Sequence, residues 1–280
     1  MNEKYANSHS FQKQITGSAG MEYTQRQMSI NKMVRQITAI LMDCEPTIYL
    51  YGSSALNDFK LGWSDIDILV LTQKQITDMQ AKKLVGLRQA MLEKEPSNPY
   101  YRSFEGGMRS LYAFLSRKTD CVVYWGTSGE RITDNYEFDS FGMAQLLESG
   151  ILLFGKDIRA QLTAPAFDDL YAGVRHHYET IRKYAQRTDR SFYSFGWLLD
   201  IARCIYTLRT GKIIPKTQAA QWALENDLCP DRGALEIALQ VRNNPLAYKG
   251  DTAIFDYAET LAQPIQRFAD VLENDLIQYA

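Results

Sequence analysis

The stretch that most constrains this chain runs from Thr47 to Leu71. An apolar run, Thr47-Ile48-Tyr49-Leu50-Tyr51, is cut by Gly52-Ser53-Ser54. Thirteen residues after Gly52 comes Asp65-Ile66-Asp67-Ile68-Leu69-Val70-Leu71. Both apolar runs read as buried strands. Side chains alternate along a strand, so Asp65 and Asp67 share one side while Ile66 and Ile68 turn to the core. Two carboxylates this close repel unless a cation lies between them, and a hard oxygen cluster suits Mg²⁺. The Gly52-Ser53-Ser54 turn lets backbone approach a ligand and offers amide and hydroxyl donors to phosphate oxygens. A lone D-x-D also fits a solvated strand edge, and a lone Gly-Ser turn is common. In this order, bracketed by apolar strands, they point to phosphoryl or nucleotidyl transfer.

The rest of the chain reads as two domains, and its 280 residues suffice for both. Residues 1–20 are polar and expected to be weakly ordered. A first domain over 21–160 has strands mixed with helices, an α+β arrangement. Met28, Met33, Val34, Ile37, Ile40 and Leu41 recur at helical spacing. A helix is expected at about 76–93 and another at about 140–149. Further strands are expected at Tyr100–Glu105, Arg109–Phe114, Cys121–Trp125 and Ile151–Phe154. Residues 161–280 read as an all-helical bundle, with helices at about 167–186, 192–209, 216–226, 232–243 and 252–277, the second closed by Gly211.

Composition narrows the function classes. A net charge of −2 argues against a surface that coats nucleic acid. Cys44, Cys121, Cys204 and Cys229 show no pairing or metal-binding spacing and read as reduced core residues. The sequence has neither a secretory leader pattern nor a membrane-length apolar run, so a cytoplasmic location is expected; separately, the chain is expected to act as a monomer.

Gly52-Ser53 followed by Trp63-Ser64-Asp65-Ile66-Asp67-Ile68 resembles the signature of the DNA polymerase β-type nucleotidyltransferase superfamily. The resemblance implies a third acidic residue from a later strand. Glu105, in Phe104-Glu105-Gly106-Gly107, is the best match, and Asp120 is its rival. In the helical half, Ile201-Ala202-Arg203-Cys204-Ile205-Tyr206, Thr210-Gly211-Lys212-Ile213, Pro215-Lys216 and Ala219-Ala220-Gln221-Trp222-Ala223-Leu224 are similar to the C-terminal domain of aminoglycoside (3'')(9)-type adenylyltransferases, which modify streptomycin and spectinomycin. The two sets of motifs extend over about 21–245.

The resemblance implies that Asp65 and Asp67 hold Mg²⁺, and that Glu105 is the catalytic base and shares a metal. It implies that Gly52, Ser53, Ser54 and Ser64 contact ATP phosphates, and that Arg203 and Lys216 reach the triphosphate from the helical domain. The co-substrate would be ATP and the acceptor a hydroxylated, cationic antibiotic. Lincosamide, protein and tRNA acceptors, or a non-catalytic nucleotide sensor, are the alternatives. Read alone, Lys216 also fits a surface lysine at a helix start, and Arg203 an ion pair with Asp200 or Glu179. Glu105, Asp189 and Asp200 are the acids expected to draw a cationic acceptor. One departure is clear: Thr188–Gly196 has one acid and no histidine where members acting on both drugs carry an Asp and an Asp-x-x-His group. His176 and His177 read as surface or packing residues. Val241 falls near the position of the family's late tyrosine, with Tyr248 the candidate substitute.

Overall fold

A computed structural model describes residues 18–126, 129–134 and 136–279. Most of the expected weakly ordered segment therefore lies outside the described residues, and 18–20 open the first helix.

The sheet-bearing half follows from apolar runs punctuated by caps. Helix α1 (Ser18–Leu41) buries Ile30, Met33, Val34, Ile37 and Leu41; Met28, expected on that stripe, is exposed. Strand β1 (Pro46–Tyr51) runs into a single helical turn, α2 (Gly52–Ala55), and the chain returns as β2 (Ile66–Thr72). Helix α3 (Asp78–Lys94) starts at a capping box in which Thr77 and Gln80 satisfy each other's backbone amides. It crosses over to β3 (Phe104–Ser110), which lies parallel to β2. Helix α4 (Leu111–Ser116), β4 (Val122–Gly126), β5 (Gly129–Thr133), α5 (Ser140–Ser149) and β6 (Ile151–Phe154) complete this half. The sheet order is β5-β4-β3-β2-β1-β6, with every pair except β2–β3 antiparallel.

Strand alternation sorts the sheet's two faces. Ile48, Leu50, Ile66, Ile68 and Val70 pack on α1 and α3. Tyr49, Leu69 and Leu71 face the other way, with Leu111 of α4 and Leu146 of α5. Asp67 has the parity of Leu69, so its carboxylate belongs to that second face, at the end where β2 begins.

Two strands expected at Tyr100–Glu105 and Arg109–Phe114 are in fact one, centred between them. Residues 101–103 form a helical turn before it, and the Ser110 hydroxyl caps α4 by accepting from the Ala113 amide, which ends the strand.

The helical half comprises α6 (Phe167–Tyr184), α7 (Phe192–Thr210), α8 (Lys216–Glu225), α9 (Arg232–Asn243), α10 (Thr252–Glu259) and α11 (Ala262–Gln278). Helix α7 is the axle: Phe195, Leu198, Leu199, Ile201, Ala202, Cys204 and Ile205 are fully buried. Gly211 closes it in a left-handed conformation. The single helix expected over 252–277 is broken between Glu259 and Ala262. Pro264 explains the break, since in a continuous helix its ring would clash with the carbonyl of Thr260 and it could not donate to it. Among the described residues no helix is long and apolar enough to cross a membrane, and all four cysteines are unpaired.

Candidate active site

A cleft of about 570 Å³ opens between the sheet and the helical half. Its floor is built from the motif residues. Asp67 on β2 lies opposite Glu105 on β3 in the parallel register, so both carboxylates leave the same face of adjacent strands. Asp65 sits one residue before β2 and lines the same cleft.

The α2 turn holds this pair of aspartates. The Ser53 hydroxyl donates to the Asp65 carbonyl (3.3 Å), and the Ser53 backbone amide favours the charged form of Asp67. Gly52 has φ +65°, and a Cβ there would lie 2.0 Å from Asp67 Oδ2. Only glycine fits, for conformation and for space. Ser53 and Ser64 line the cleft, and Ser64 Oγ also accepts from the Lys60 amide (3.0 Å). Ser54 does not line it. Successive helical residues point about 100° apart, so with Ser53 facing the cleft Ser54 turns inward, where it is buried and its hydroxyl has no partner.

Burial and mutual repulsion both disfavour the charged forms of the floor acids. Burial, then the charge of Glu105 and a hydrogen bond to it, push the Asp65 carboxyl up from 3.8 to about 7. Burial, then Asp65 and Glu105, push Asp67 well above the carboxylate range, against the pull of the Ser53 amide and Arg203. Asp65, Asp67 and Glu105 line one cleft and together present an all-oxygen donor set of the kind that suits Mg²⁺.

Glu105 is held by a second layer. The Tyr124 hydroxyl of β4 donates to Glu105 Oε1 (2.8 Å). Tyr136 packs on Tyr124 with ring centroids 5.5 Å apart, over Gly107, where a Cβ would come within 2.3 Å of its ring. Buried Arg88 of α3 donates to the Phe104 and Gly126 carbonyls (2.7 and 3.2 Å) and pairs with Glu130, pinning the start of β3 to the β4–β5 hairpin.

Asp120, the rival third acid, is at the opposite end of the sheet. Burial raises its pKa, but donors from Ser110, Gln75 and the Cys121 amide outweigh that and hold it below the usual range. It sits beside Ser110, five strand positions and roughly 17 Å from Glu105.

The opposite wall is cationic. Arg203 of α7 and Lys216 of α8 line the cleft. Both contact Asp200, at 2.7 and 3.2 Å. The ion pair considered for Arg203 therefore exists, with Asp200 rather than Glu179, which pairs with Arg175. His177 of α6, read above as a surface or packing residue, also lines the cleft and bonds Asp200 through Nδ1 (2.7 Å). Its separation in sequence from Asp200 hid this; only the packing of α6 on α7 joins them.

Arg242 was also missed. It donates to Asp58 Oδ2 (2.6 Å), and its Nε donates to Thr217 Oγ1 (3.1 Å), whose hydroxyl donates to Asp58 Oδ1 (2.6 Å). The buried Asp58–Arg242 pair with its half-buried Thr217 partner, and the stack of Trp63 on Phe192 (5.6 Å), join the sheet half to the helical half at the cleft's edge.

Of the acids expected to draw an acceptor, Asp189 is outside the cleft, exposed and bonded to Ser194 and Ser191. Asp200 lies behind the cationic wall, buried, with its charge engaged. The acids at the cleft beyond the floor are Asp58, Glu137 and Asp139. Tyr248 packs on the helical core, away from the cleft, and Val241 is fully buried.

His177, Asp200 and Cys204 bring potential ligand atoms within 4.8 Å of one another. Asp200 is already shared by two cations, and burial holds the Cys204 thiol well above its usual range, so this group lacks the charge to bind a metal.

Residues 40–99 match the family described as nucleotidyltransferase domain, and residues 167–267 match that described as aminoglycoside adenylyltransferase, C-terminal domain. The chain is similar to spectinomycin 9-adenylyltransferase of Staphylococcus aureus strains Mu50 and N315, at 22% identity over 187 residues, 63% of this chain and 70% of each relative. Its fold resembles a crystal structure of a spectinomycin adenyltransferase from Enterococcus faecialis with ATP and spectinomycin. That likeness has a TM-score of 0.61 and 17% identity, and covers 88% of this chain and 99% of the other.

Proposed function

We propose that the chain is a member of the aminoglycoside adenylyltransferase family, whose C-terminal domain model and the nucleotidyltransferase domain model it matches, and that it transfers AMP from ATP to a hydroxyl of a spectinomycin-like aminoglycoside, releasing pyrophosphate. The observation that carries this reading is the cleft itself: Asp65, Asp67 and Glu105 on one wall, Arg203 and Lys216 on the other.

Asp65, Asp67 and Glu105 would hold Mg²⁺, which when bound neutralises phosphate charge. Ser53, Ser64 and the α2 backbone meet the phosphates from the sheet side. Arg203 offers a planar fork and Lys216 a compact charge from the helical side. Glu105, oriented by Tyr124, takes the proton of the acceptor hydroxyl. That oxygen attacks the α-phosphorus, a P–O bond to the acceptor forms, and the bond to the bridging oxygen breaks as pyrophosphate leaves. Glu137 and Asp139 at the rim favour a cationic acceptor.

The direct test is incubation of the purified chain with ATP, Mg²⁺ and each of spectinomycin, streptomycin and a lincosamide, read by pyrophosphate release and by the mass of the product. An AMP adduct on spectinomycin supports the reading. An adduct on the lincosamide alone replaces the acceptor, and tight ATP binding without turnover on any acceptor replaces catalysis with sensing.

A further inference from the structure

Three helices deliver cationic or proton-donating side chains to one buried carboxylate. Asp200 of α7 is 5% exposed and receives His177 from α6, Arg203 from its own helix and Lys216 from α8. The three partners line the cleft; Asp200 itself does not. Phe141 of α5 adds a common platform, with the His177 ring 5.0 Å and the Arg203 guanidinium carbon 5.1 Å from its ring.

This arrangement leaves donors unused. The Arg203–Asp200 hydrogen bond uses Nη2, and Arg203 Nε is buried without a partner. His177 commits Nδ1 to Asp200, which leaves Nε2 as the ring nitrogen available to a ligand. One carboxylate set against the Arg203 guanidinium and the Lys216 ammonium leaves a positive surplus on the wall facing the carboxylates.

We propose that Asp200 is a positioning residue that preassembles this wall, and that His177 is its third triphosphate-binding side chain beside Arg203 and Lys216. Asp200 acts through its partners. It fixes the Arg203 fork and the His177 ring before the nucleotide arrives, so less ordering entropy is lost on binding. It also keeps an ammonium at Lys216. Burial lowers the affinity of Lys216 for its proton, as do Arg203 and Arg242, and Asp200 opposes them. Without Asp200 the wall would lose both geometry and charge. The proposal rests on the reading that the cleft binds ATP.

The test compares ATP with AMP, because the wall addresses the phosphates that AMP lacks. Calorimetric titration of the full chain with each nucleotide and Mg²⁺ gives both affinities for wild type, His177→Gln and Asp200→Asn. His177 is partly exposed, so its variant stays falsifiable even if Asp200→Asn folds poorly. We expect ATP affinity to fall about three- to tenfold in His177→Gln and at least about tenfold in Asp200→Asn, with AMP affinity unchanged. KM for ATP should rise while KM for the acceptor does not. Wild-type ATP affinity in both variants overturns the proposal while leaving the function intact. Equal losses for ATP and AMP, a higher acceptor KM alone, or tighter ATP binding in Asp200→Asn also overturn it. If the wild-type chain does not bind ATP, the proposed function falls and takes this proposal with it.

Discussion

Asp67 and Glu105 stand side by side on one pleat of the parallel pair β2–β3, although the whole of α3 separates them in sequence. Replacing either should stop turnover without unfolding the chain. In Glu105→Gln, kcat is expected to fall at least about a hundredfold, the scale of a lost general base. Asp120→Asn should instead lower the melting temperature and leave kcat nearly unchanged, because its carboxylate ties β3 to β4 far from the cleft. Steady-state kinetics beside thermal melts separate the two, and a kcat collapse in Asp120→Asn would reverse the assignment.

Magnesium should stabilise the protein in a pH-dependent way. Burial and Glu105 raise the Asp65 pKa to about 7 from 3.8. A carboxyl raised in the fold contributes stability that is complete below its unfolded value and is lost as pH climbs through the folded one. The metal-free protein thus loses that contribution between 3.8 and about 7. A cation between the acids offsets both the burial cost and the repulsion behind that loss. The melting-temperature gain on adding Mg²⁺ should be larger at about pH 8 than at about pH 5; a gain independent of pH would count against metal binding at Asp65.

Gly52→Ala tests the turn beneath Asp67. The added methyl would lie 2.0 Å from Asp67 Oδ2 at a φ of +65°. A left-handed backbone costs an L-residue about 1–2 kcal/mol, and the clash must displace the carboxylate. The expected outcome is a modest fall in melting temperature with a disproportionate loss of kcat, measured on the same preparation.

Tyr124→Phe removes the donor to Glu105 and little else. A hydrogen bond to a charged acceptor is worth about 1.5–3 kcal/mol. A fall in kcat of roughly tenfold or more, with KM for ATP unchanged, would mark Tyr124 as the group that orients the base. A change confined to KM would assign it to binding instead.

Asp58→Ala strands Arg242 in the interior. Removing one partner of a buried ion pair typically costs about 3–5 kcal/mol. Urea denaturation should show a loss of that size, and Asp58→Asn, which can still accept from Thr217, should lose less.

What the sequence made legible was local. Apolar runs, the glycine turn and Asp65-x-Asp67 located β1, α2 and β2, and helical periodicity outlined the second half. Long-range pairings were hidden. Asp58 and Arg242 carry no motif. His177 looked like any histidine on a helix until α6 packed on α7. Ser54 and Ser53 are the same residue type at adjacent positions, and the rotation of one helical turn sends only one into the cleft. Glu105 and Asp120 could be separated only by strand register.

The Asp58–Arg242–Thr217 triad has a consequence for how this cleft comes into being. Its members lie 159 and 184 positions apart from Asp58. Contacts of such separation close late in folding, because the chain entropy they cost must be met by structure already formed. The carboxylate floor can be laid down by β1–β3 while the chain is still being synthesised, but the cationic wall can dock only after α9 has emerged. The complete cleft therefore forms only once α9 is in place.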